Sequence, residues 1–408
     1  MALMPVEEAL ARLLSSATPL GPERVTLWDA AGRVLAEPVV ARRTTPGADV
    51  SAMDGYALRA TDAAQVPATL RLIGESAAGR PYPGRVEPGT TVRIFTGAVL
   101  PEGADAVVIQ EDTQRDSDHV TMTEAATAGR HIRKAGGDFA SGEVVLPAGH
   151  RLLPRDLALA ASADIAELTV TRRPRVALLS TGDELVRPGA GAAAHQVILS
   201  NVYSVGGLAR AAGAEVVDLG ILPDAMDATQ QGVSAALAGG FDVIVTTGGA
   251  SVGDHDLVAP ALTAQGVALA VHRIALRPGK PLMFGRSEGG TGPTHVLGLP
   301  GNPVSAHVCA LVYLVPLIKA LQGLDIPPRV PLRPAILGAD VKANEMRMDF
   351  QRAETVGYEG GLPVVRPLPV QDSSMLSVLA RADVLLVRQP HAPAAVAGEP
   401  CEILPLED

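Results

Sequence analysis

The sequence contains few aromatic residues, few cysteines and few lysines. Of its 408 residues one is Trp, five are Tyr and five are Phe, so its cores must be built from Ala, Val, Leu and Ile. Its two cysteines, Cys309 and Cys401, are too few for a disulfide framework or for a zinc site made of thiolates. Cys309 lies in an apolar helical run, where we expect it to be buried as a small hydrophobic residue.

The sequence also lacks the features that direct a chain into a membrane. The N-terminal stretch MALMPVEEALARLL carries acidic residues and no basic region ahead of its apolar residues, so we expect no signal peptide. The longest apolar run, 308–318, is shorter than the ~18 residues of a membrane-spanning helix and contains Pro316. These features predict a cytoplasmic protein with no membrane partner.

The sequence also has fewer basic residues than acidic ones. Against 44 Asp and Glu residues stand 34 Lys and Arg residues, which gives a formal net charge of −10. An excess of negative charge disfavours nucleic acid as a partner, although it leaves room for a local basic pocket.

The chain does have enough apolar material for several large cores. Its hydrophobic share is 47%, and its length predicts two to four domains at ~150 residues each. In 175–323 strands alternate with helices, which indicates βαβ units and a mostly parallel sheet. We therefore predict a multidomain α/β plus β protein: a central, mostly parallel α/β domain, an inserted small β domain and a C-terminal barrel-like β domain.

Turn residues and strand spacing suggest where these domains begin and end. Short strands between Gly- and Pro-rich turns indicate the small β domain and the C-terminal one. Helices are expected at 5–16 and 154–167, whereas 42–62 resembles a long loop that contributes little to a core. The predicted parts are an elongated linking domain, the small β domain, the α/β domain and the C-terminal β domain (1–45 plus 141–173, 46–140, 174–326 and 327–408).

Acidic residues follow three strands of the predicted α/β domain. Glu184, Asp224 and Asp256 each come just after a strand, and the carboxyl ends of parallel strands meet at one edge of a sheet. Singly, each is explained equally well as a helix cap or a solvated loop acid. Three acids at one edge favour Mg²⁺, which takes one or two carboxylates together with phosphate oxygens.

A glycine-rich segment, TTGGASVGDHD, follows the third strand of that domain at 246–256. Glycines between a strand and a helix let backbone N–H groups surround a phosphate. A tight turn would explain two glycines alone, but three glycines with hydroxyl groups and acids favour phosphate binding. The candidate residues are Gly248, Gly249, Ser251, Gly253 and Asp254.

Two further features of the α/β domain suit a site for anions. Arg273, Arg277 and Lys280 fall within eight residues, and beside a phosphate loop they are better explained as an anion-binding cluster than as a solvated strand edge. In GLPGNPVS, Asn302 can cap a helix whose first turn holds Pro303, which is a structural explanation about as good as a functional one.

In the N-terminal part, three polar residues lie in turns. Asp54 lies in SAMDGYA, where an Asx-turn would explain it alone, and Thr96 lies at a strand end. Asp138 follows a double glycine and is by default an ordinary turn acid.

Taken in order, SAMDGYA, RIFTGAVLPEGADAVV, STGDEL, GGASVGDHD, RPGKP and GLPGNPVS resemble the molybdopterin molybdenumtransferase (molybdenum cofactor insertase) family, to which the C-terminal domain of gephyrin is related. The resemblance extends from about residue 5 to 405 and agrees with the family's four-domain plan. It implies insertion of molybdenum from molybdate into adenylylated molybdopterin, with release of AMP and with help from Mg²⁺.

The resemblance also implies roles for individual residues. The positions that match the family's catalytic residues are Asp54, Thr96, Asp138, Glu184, Asp224 and Asp256. Arg273 and Arg277 match positions where some relatives carry lysine, and the loop around Ser251 matches a pterin-phosphate loop. With Lys280, Pro300 and Pro303, these form the implied substrate-binding set.

The resemblance implies partners too. It implies a homodimer in which the β domain of one chain faces the α/β domain of the other, so that each active site is shared between chains. It implies transient contact with molybdopterin adenylyltransferase and with molybdenum-enzyme chaperones.

Three other functions are weighed against this one. A molybdopterin adenylyltransferase shares the α/β domain, but the N-terminal part and the β tail argue against it. A non-catalytic scaffold is disfavoured by the intact acids and the basic cluster. A tungsten-inserting paralogue is not distinguished by the sequence.

Overall fold

The computed structural model describes residues 3–248, 257–289 and 292–406, in two compact units. The larger unit comprises Met1–Glu23 with Thr171–Asp408, and the smaller comprises Arg24–Val170. The strands Pro22–Thr26 and Glu167–Thr171 pair where the chain passes from one unit to the other. The predicted fold class is confirmed, whereas the bounds of the four predicted domains stay a prediction.

A six-stranded sheet forms the centre of the larger unit. Its first four strands pair with one another in parallel. The last two strands, at one edge, each pair antiparallel with the strand before them. Alternate residues of its strands face opposite sides, so that Leu178 and Leu179 belong to different hydrophobic cores. The strands, in spatial order, are Glu215–Leu222, Arg175–Thr181, Val243–Thr247, Thr294–Leu299, Pro281–Ser287 and Ala268–Arg273.

Helices cover both faces of this sheet. The N-terminal helix Val6–Leu14 buries Val6, Ala9, Leu10 and Leu13 in the same core as Leu178. The remaining helices of the larger unit are Asn201–Ala211, Met226–Ala238, Val258–Ala264, Pro303–Cys309, Val315–Leu321 and Leu376–Leu379. A short parallel pair, Leu185–Val186 with Val197–Ile198, lies beside the sheet.

The segment Pro303–Leu321 is one continuous helical run. A π-helical stretch, Ala310–Leu314, precedes Pro316, whose ring would clash with the preceding turn of a regular α-helix. The segment is long and apolar enough to cross a membrane, but 72% of its most apolar window is buried inside the fold. Its Cys309 is fully buried as predicted, and burial raises the pKa of that thiol to about 12.

The C-terminal part of the larger unit is a closed barrel. Five strands form a ring, because the first strand pairs with the last as well as with the second. Leu276–Arg277, from the central part of the unit, adds to this ring beside Met348. In order around the ring the strands are Met348–Glu359, Leu362–Pro367, Arg333–Leu337, Pro400–Pro405 and Val384–Arg388.

The smaller unit is built around a second six-stranded sheet. Its strands in spatial order are Ala106–Ile109, Gly55–Leu58, Thr90–Ile94, Ala68–Ser76, His119–Met122 and Thr113–Asp116. Beside it are two short pairs, Val39–Val40 with Val144–Leu146 and Val50–Ser51 with Ile132–Arg133. The helix Pro154–Ser162 packs with the first of these pairs in a separate small core.

One expectation for this unit was wrong. Within 42–62, the segment expected to be a loop of little core value, Gly55–Leu58 is an interior strand of the sheet with all four residues buried. Turn-forming residues surround this strand, and four consecutive buried residues give no alternating pattern, which is why the sequence concealed the buried strand.

Candidate functional site

A cleft of about 1230 Å³ lies in the larger unit between the central sheet and loops of the barrel. Ligands of open α/β sheets bind outside the carboxyl ends of the strands, and one wall of this cleft is made there. The opposite wall comes from the barrel. The predicted site residues that line the cleft are Glu184, Gly248, Arg277, Lys280, Pro300 and Pro303.

The described lining of the cleft is positively charged. Arg277, Lys280 and Arg347 are cationic, and Glu184 is the one acid among the described lining residues. The whole chain carries a formal net charge of −10, so this positive lining is a local feature. Positive groups that converge in a cleft concentrate anionic ligands there.

Arg277 is held in place by a carboxylate from the barrel. Its Nε lies 3.0 Å from Oδ1 of Asp349, and its Nη2 lies 3.0 Å from Oδ2, which is the two-pronged geometry of a strong ion pair. Asp349 is buried, and its Oδ2 also accepts a hydrogen bond of 2.9 Å from Gln351. The Arg277 side chain remains 43% exposed, so the guanidinium is both fixed and accessible from the cleft.

A buried arginine supports the barrel side of the cleft. Arg352 is 1% exposed and donates from Nη2 to the carbonyl of Asp372 at 3.1 Å, and its burial lowers the pKa of the guanidinium. Gln371 bonds the Arg352 backbone N–H and carbonyl, each at 2.9 Å. These bonds hold the loop that brings Ser373 and Ser374 into the cleft.

At the sheet edge, the carboxylates of two acids each accept a hydrogen bond from the backbone N–H of the other. The N–H of Asp224 donates to Oδ1 of Asp183 at 3.0 Å, and the N–H of Asp183 donates to Oδ2 of Asp224 at 3.4 Å. Both side chains are exposed. The arrangement aligns the ends of two neighbouring strands and leaves carboxylate oxygens free to bind a cation.

Glu184 follows Asp183 directly in the sequence. Its carboxylate lies 2.6–2.9 Å from where a Cβ on Gly182 would be, and Gly182 has a φ of +147°. The positive φ favours glycine in the turn that places Glu184 beside the cleft, whereas the flexible Glu184 side chain could move away from a Cβ. Among residues 3–248, 257–289 and 292–406, no group of three or more His, Cys, Asp and Glu side chains could hold a metal ion.

The glycine-rich loop begins at the end of an interior strand. Gly248 has a φ of +92°, and a Cβ there would lie 3.0 Å from the carbonyl oxygen of Thr181, so only glycine fits without strain. The hydroxyl of Thr247 is hydrogen-bonded to that of Ser180 at 2.9 Å. The other predicted loop residues lie outside the described residues: Gly249, Ser251, Gly253, Asp254 and Asp256.

The remaining predicted residues of the larger unit take two different positions. Lys280 is exposed in the cleft, whereas Arg273 is exposed at the end of an edge strand and is not among the described lining residues. Asn302 stands at the helix start but does not cap it, which corrects that prediction. Its amide instead donates to the hydroxyl of Ser373 at 3.1 Å, because the barrel loop offers an acceptor.

In the smaller unit, Asp54 and Thr96 are brought together. Oδ1 of Asp54 accepts hydrogen bonds from the Thr96 backbone N–H at 2.7 Å and from the Thr96 hydroxyl at 2.8 Å. These two bonds, the backbone one first, lower the pKa of Asp54. The bonds reach across the sheet, so a local Asx-turn is not the reason for this acid. Asp138 is exposed in a separate turn that is tied to Thr45 through the backbone.

The Thr96 hydroxyl provides a first prediction. Thr96→Val removes one of the two donors to Asp54 and is expected to raise the pKa of Asp54, so that its carboxylate becomes protonated at a higher pH. Carbon-detected NMR titration of the carboxyl group measures this shift directly. Thr96→Ser keeps the donor and should leave the pKa unchanged; equal pKa values in the wild type and the Val variant would contradict the hydrogen bond.

Comparison with known proteins assigns the chain to a family. Three family models match: MoeA N-terminal region (domain I and II) at residues 4–163, "Probable molybdopterin binding domain" at 177–320, and MoeA C-terminal region (domain IV) at 334–406. A molybdopterin molybdenumtransferase of Haemophilus influenzae is 36% identical over 405 residues, covering 99% of this chain and 98% of the relative. This chain belongs to the MoeA family. The resemblance inferred from the six motifs is confirmed.

Other relatives agree with this assignment. Molybdopterin molybdenumtransferase 2 of Mycobacterium tuberculosis is 37% identical over 375 residues, 90% of each chain. The crystal structure of a molybdopterin biosynthesis MoeA protein from Pyrococcus horikoshii matches all of both chains with a TM-score of 0.82 at 29% identity. The chain is accordingly a transferase of molybdenum cofactor biosynthesis.

Part of this MoeA cleft was missed from the sequence. The barrel supplies Arg347, Gln371, Ser373, Ser374 and Leu376 to the lining. The run QDSSM at 371–375, rich in turn-forming residues, was a signal that could have been followed. Arg347 carried no such signal, because its position in the cleft depends on the closure of the barrel.

Proposed function

We propose that the chain inserts molybdenum from molybdate into adenylylated molybdopterin and releases AMP. The observation that carries this proposal is the cleft at the sheet edge, whose described lining has three cations and one acid. Molybdate and the pyrophosphate of the substrate are all anions and repel each other in water. Preplaced positive groups offset that repulsion without having to reorganise during the reaction.

The proposed reaction balances without an oxidant or reductant. The dithiol of the pterin exchanges with one oxo ligand of molybdate, which forms two Mo–S bonds and releases one water molecule. Cleavage of the pyrophosphate consumes one water molecule and gives AMP and the pterin monophosphate. Nothing in this scheme distinguishes molybdate from tungstate, so the metal preference is a matter for competition assays.

Each residue of the cleft has a proposed part in this scheme. Arg277, fixed by Asp349, binds a phosphate oxygen in a set direction, and Lys280 and Arg347 supply further positive charge. Gly248 and the loop after it bring backbone N–H groups to a phosphate. Pro300 and Pro303 shape the turn beside that phosphate, and Arg273 adds positive charge at the sheet edge.

The acids of the sheet edge suit Mg²⁺. Carboxylate oxygens are hard ligands, and Mg²⁺ needs only one or two of them in addition to substrate phosphates. Glu184 and Asp224 are the described candidates, with Asp183 beside them; Asp256 is the further predicted ligand. Bound there, Mg²⁺ would neutralise charge on the phosphate oxygens as the pyrophosphate breaks. Asp54, Thr96 and Asp138 are proposed to complete the catalytic set.

The proposal includes a setting for the enzyme. The working unit is a homodimer in the cytoplasm, with transient contact to molybdopterin adenylyltransferase and to chaperones of molybdenum enzymes. No nucleic acid or membrane partner is proposed, since the net charge of −10 repels both kinds of anionic surface.

An assay with defined substrates tests the proposed function. The chain is incubated with adenylylated molybdopterin, Mg²⁺ and molybdate, and AMP release and metal retained on the pterin are both measured. We expect equimolar AMP and bound molybdenum. AMP without retained molybdenum would contradict insertion, and adenylylated product formed from ATP and molybdopterin would indicate an adenylyltransferase instead.

The role of Arg277 provides a second prediction. Arg277→Ala should weaken the binding of adenylylated molybdopterin more than it slows the bound complex, because the guanidinium contacts phosphates in both ground and transition states. Arg277→Lys should have an intermediate effect, since it keeps the charge but loses the two-pronged pair with Asp349. Calorimetric titration and single-turnover rates separate the two effects.

A surface arginine serves as the control for this experiment. Arg329 is exposed in the larger unit and is not among the described residues that line the cleft, so Arg329→Ala should leave affinity unchanged. Unaltered affinity in the Arg277→Ala protein would mean that the basic cluster is only a solvated strand edge.

A further inference from the structure

A small recess opens from the floor of the cleft beside the start of helix Asn201–Ala211. It has a volume of about 100 Å³ and shares Glu184, Gly248 and Gly301 with the main cleft. Its other lining residues are five apolar ones, Leu185, Val197, Ile198, Leu199 and Pro303, and four polar ones, Thr181, Ser200, Asn201 and Thr247. The recess has room for a few waters or for one edge of a planar ring, but not for a whole bicyclic ring.

Asn201 is the amide side chain of this recess. It is 8% exposed, and its Nδ2 donates to the carbonyl of Gly301 at 2.8 Å. A carbonyl oxygen accepts a hydrogen bond only from the NH₂ group of an amide. This bond therefore identifies the Asn201 atom that faces Gly301 as Nδ2 and the other amide atom as Oδ1. The remaining atom, Oδ1, is buried and has no hydrogen-bond partner within the part of the chain that the structure describes.

A buried acceptor without a donor costs free energy, so such a group calls for a partner such as water, an ion or a bound molecule. Asn201 lines the recess, so an N–H or O–H group that binds there can complete the hydrogen bonding of Oδ1. In the proposed substrate, such donors belong to the pterin ring and to the adenosine of the AMP group. Residues 177–320, which include Asn201 and the recess, match a probable molybdopterin binding domain, and this favours the pterin as the donor.

We infer that Asn201 is a substrate-binding residue whose Oδ1 accepts a hydrogen bond from the 2-amino group of the pterin, with that edge of the ring seated in the recess. The inference rests on the proposed function, because it takes the substrate to be a pterin. It assigns the recess to the ring, and it assigns the cations of the main cleft, together with the loop that follows Gly248, to the phosphates. The backbones of Gly248 and Gly301 come close at the floor, where a Cβ on Gly301 would lie 3.9 Å from Cα of Gly248. Neither glycine places a side chain in the recess.

Binding of free pteridines tests the inference apart from catalysis. The probes are 6-hydroxymethylpterin and 6-hydroxymethyllumazine, which differ in having an amino group or a carbonyl oxygen at position 2. Fluorescence titration of the full chain, without molybdate or Mg²⁺, gives the ratio of their dissociation constants. A site that accepts from the amino group should bind the pterin at least about tenfold more tightly, because the carbonyl would face Oδ1 as a second acceptor.

Variants of Asn201 link this preference to the proposed atom. Asn201→Leu should bring the pterin-to-lumazine ratio close to one, and Asn201→Asp, which keeps an oxygen acceptor, should retain most of it. The control is Ser204→Ala on the same helix. Ser204 bonds His307 at 2.7 Å and so links the same two chain segments, and it is not among the residues that line the recess. This variant should keep the full preference.

The outcomes separate the inference from the proposed function. No preference in the wild type, no detectable binding of either pteridine up to its solubility limit, or a preference that survives in Asn201→Leu would each overturn the inference. If Asn201→Leu fails to fold, Asn201→Ala takes its place as the variant that removes the acceptor, and the preference should again be lost. A pterin preference lost in Asn201→Leu, alongside failed molybdenum insertion, would uphold the pterin site and overturn the proposed reaction.

Discussion

Replacing Asp224 with alanine is expected to lower the rate of AMP release by roughly 100-fold or more while the protein stays folded. The side chain is exposed at a strand end and belongs to no hydrophobic core, so its removal leaves the packing intact. What it removes is a carboxylate that is proposed to hold Mg²⁺ next to the pyrophosphate. Single-turnover AMP release and thermal unfolding measure the two effects on the same samples.

The pairing of Asp224 with Asp183 makes a sharper version of this experiment possible. Asp224→Asn keeps an oxygen that can accept from the Asp183 backbone N–H, but it removes the negative charge. If charge is what matters, the Asn variant should be nearly as slow as the Ala variant, and higher Mg²⁺ should rescue it only in part. If the oxygen merely shapes the turn, the Asn variant should be nearly as fast as the wild type.

A neighbouring acid controls for general loss of negative charge. Asp227 lies three residues further on, in the first turn of the next helix, and is also exposed. Asp227→Asn should change the rate little. A folded Asp224→Ala protein with near-normal AMP release would remove Asp224 from the proposed catalytic set.

The central part of the site could be predicted because its position follows from local rules. Strand, turn and helix signals in 175–323 were strong, and the carboxyl ends of parallel strands must meet. These rules alone place Glu184, Gly248, Arg277 and Lys280 together, and the four residues do line one cleft. The pairing of Asp183 with Asp224 is a consequence of the same rule, since their strands are neighbours in the sheet.

The contribution of the barrel could not be predicted in the same way. Asp349 reaches Arg277 because Leu276–Arg277 adds to the barrel as an extra parallel strand, with Arg277 opposite Asp349. These residues are 72 positions apart, and no local pattern in either segment indicates the pairing. Asn302 shows the same limit, because a good cap residue found a better-placed partner in Ser373.

The smaller unit contains one feature that the sequence indicated and one that it concealed. Asp54 and Thr96 drew attention as polar residues in turns, and the structure joins them by two hydrogen bonds. The strand beside them, Gly55–Leu58, was missed because the polar residues around it favour a loop. The short buried strand is what holds Asp54 at the end of the sheet, opposite the strand that leads into Thr96.

The proposed homodimer leads to the last prediction. Asp54 and Asp224 belong to different compact units of the chain, yet both are proposed to act in one reaction. In a twofold-symmetric dimer the smaller unit of one chain can serve the larger unit of the other, which gives two equivalent composite sites. An Asp54→Ala protein and an Asp224→Ala protein should then each be inactive alone.

Mixing the two inactive proteins should restore activity if subunits exchange. Random exchange makes about half of the dimers mixed, and each mixed dimer has one site with both mutations and one site with neither. Activity should therefore recover to about a quarter of the wild-type value, because half of the dimers carry one working site of two.

The matched control is a mixture of Asp54→Ala with Thr96→Ala protein. Both of these changes lie in the smaller unit, so no mixed dimer gains an unmutated site. Exchange is confirmed independently by fluorescence transfer between labelled subunits. Exchange without recovery in the first mixture would show that each site is built within one chain, because every site in a mixed dimer would then keep one mutation.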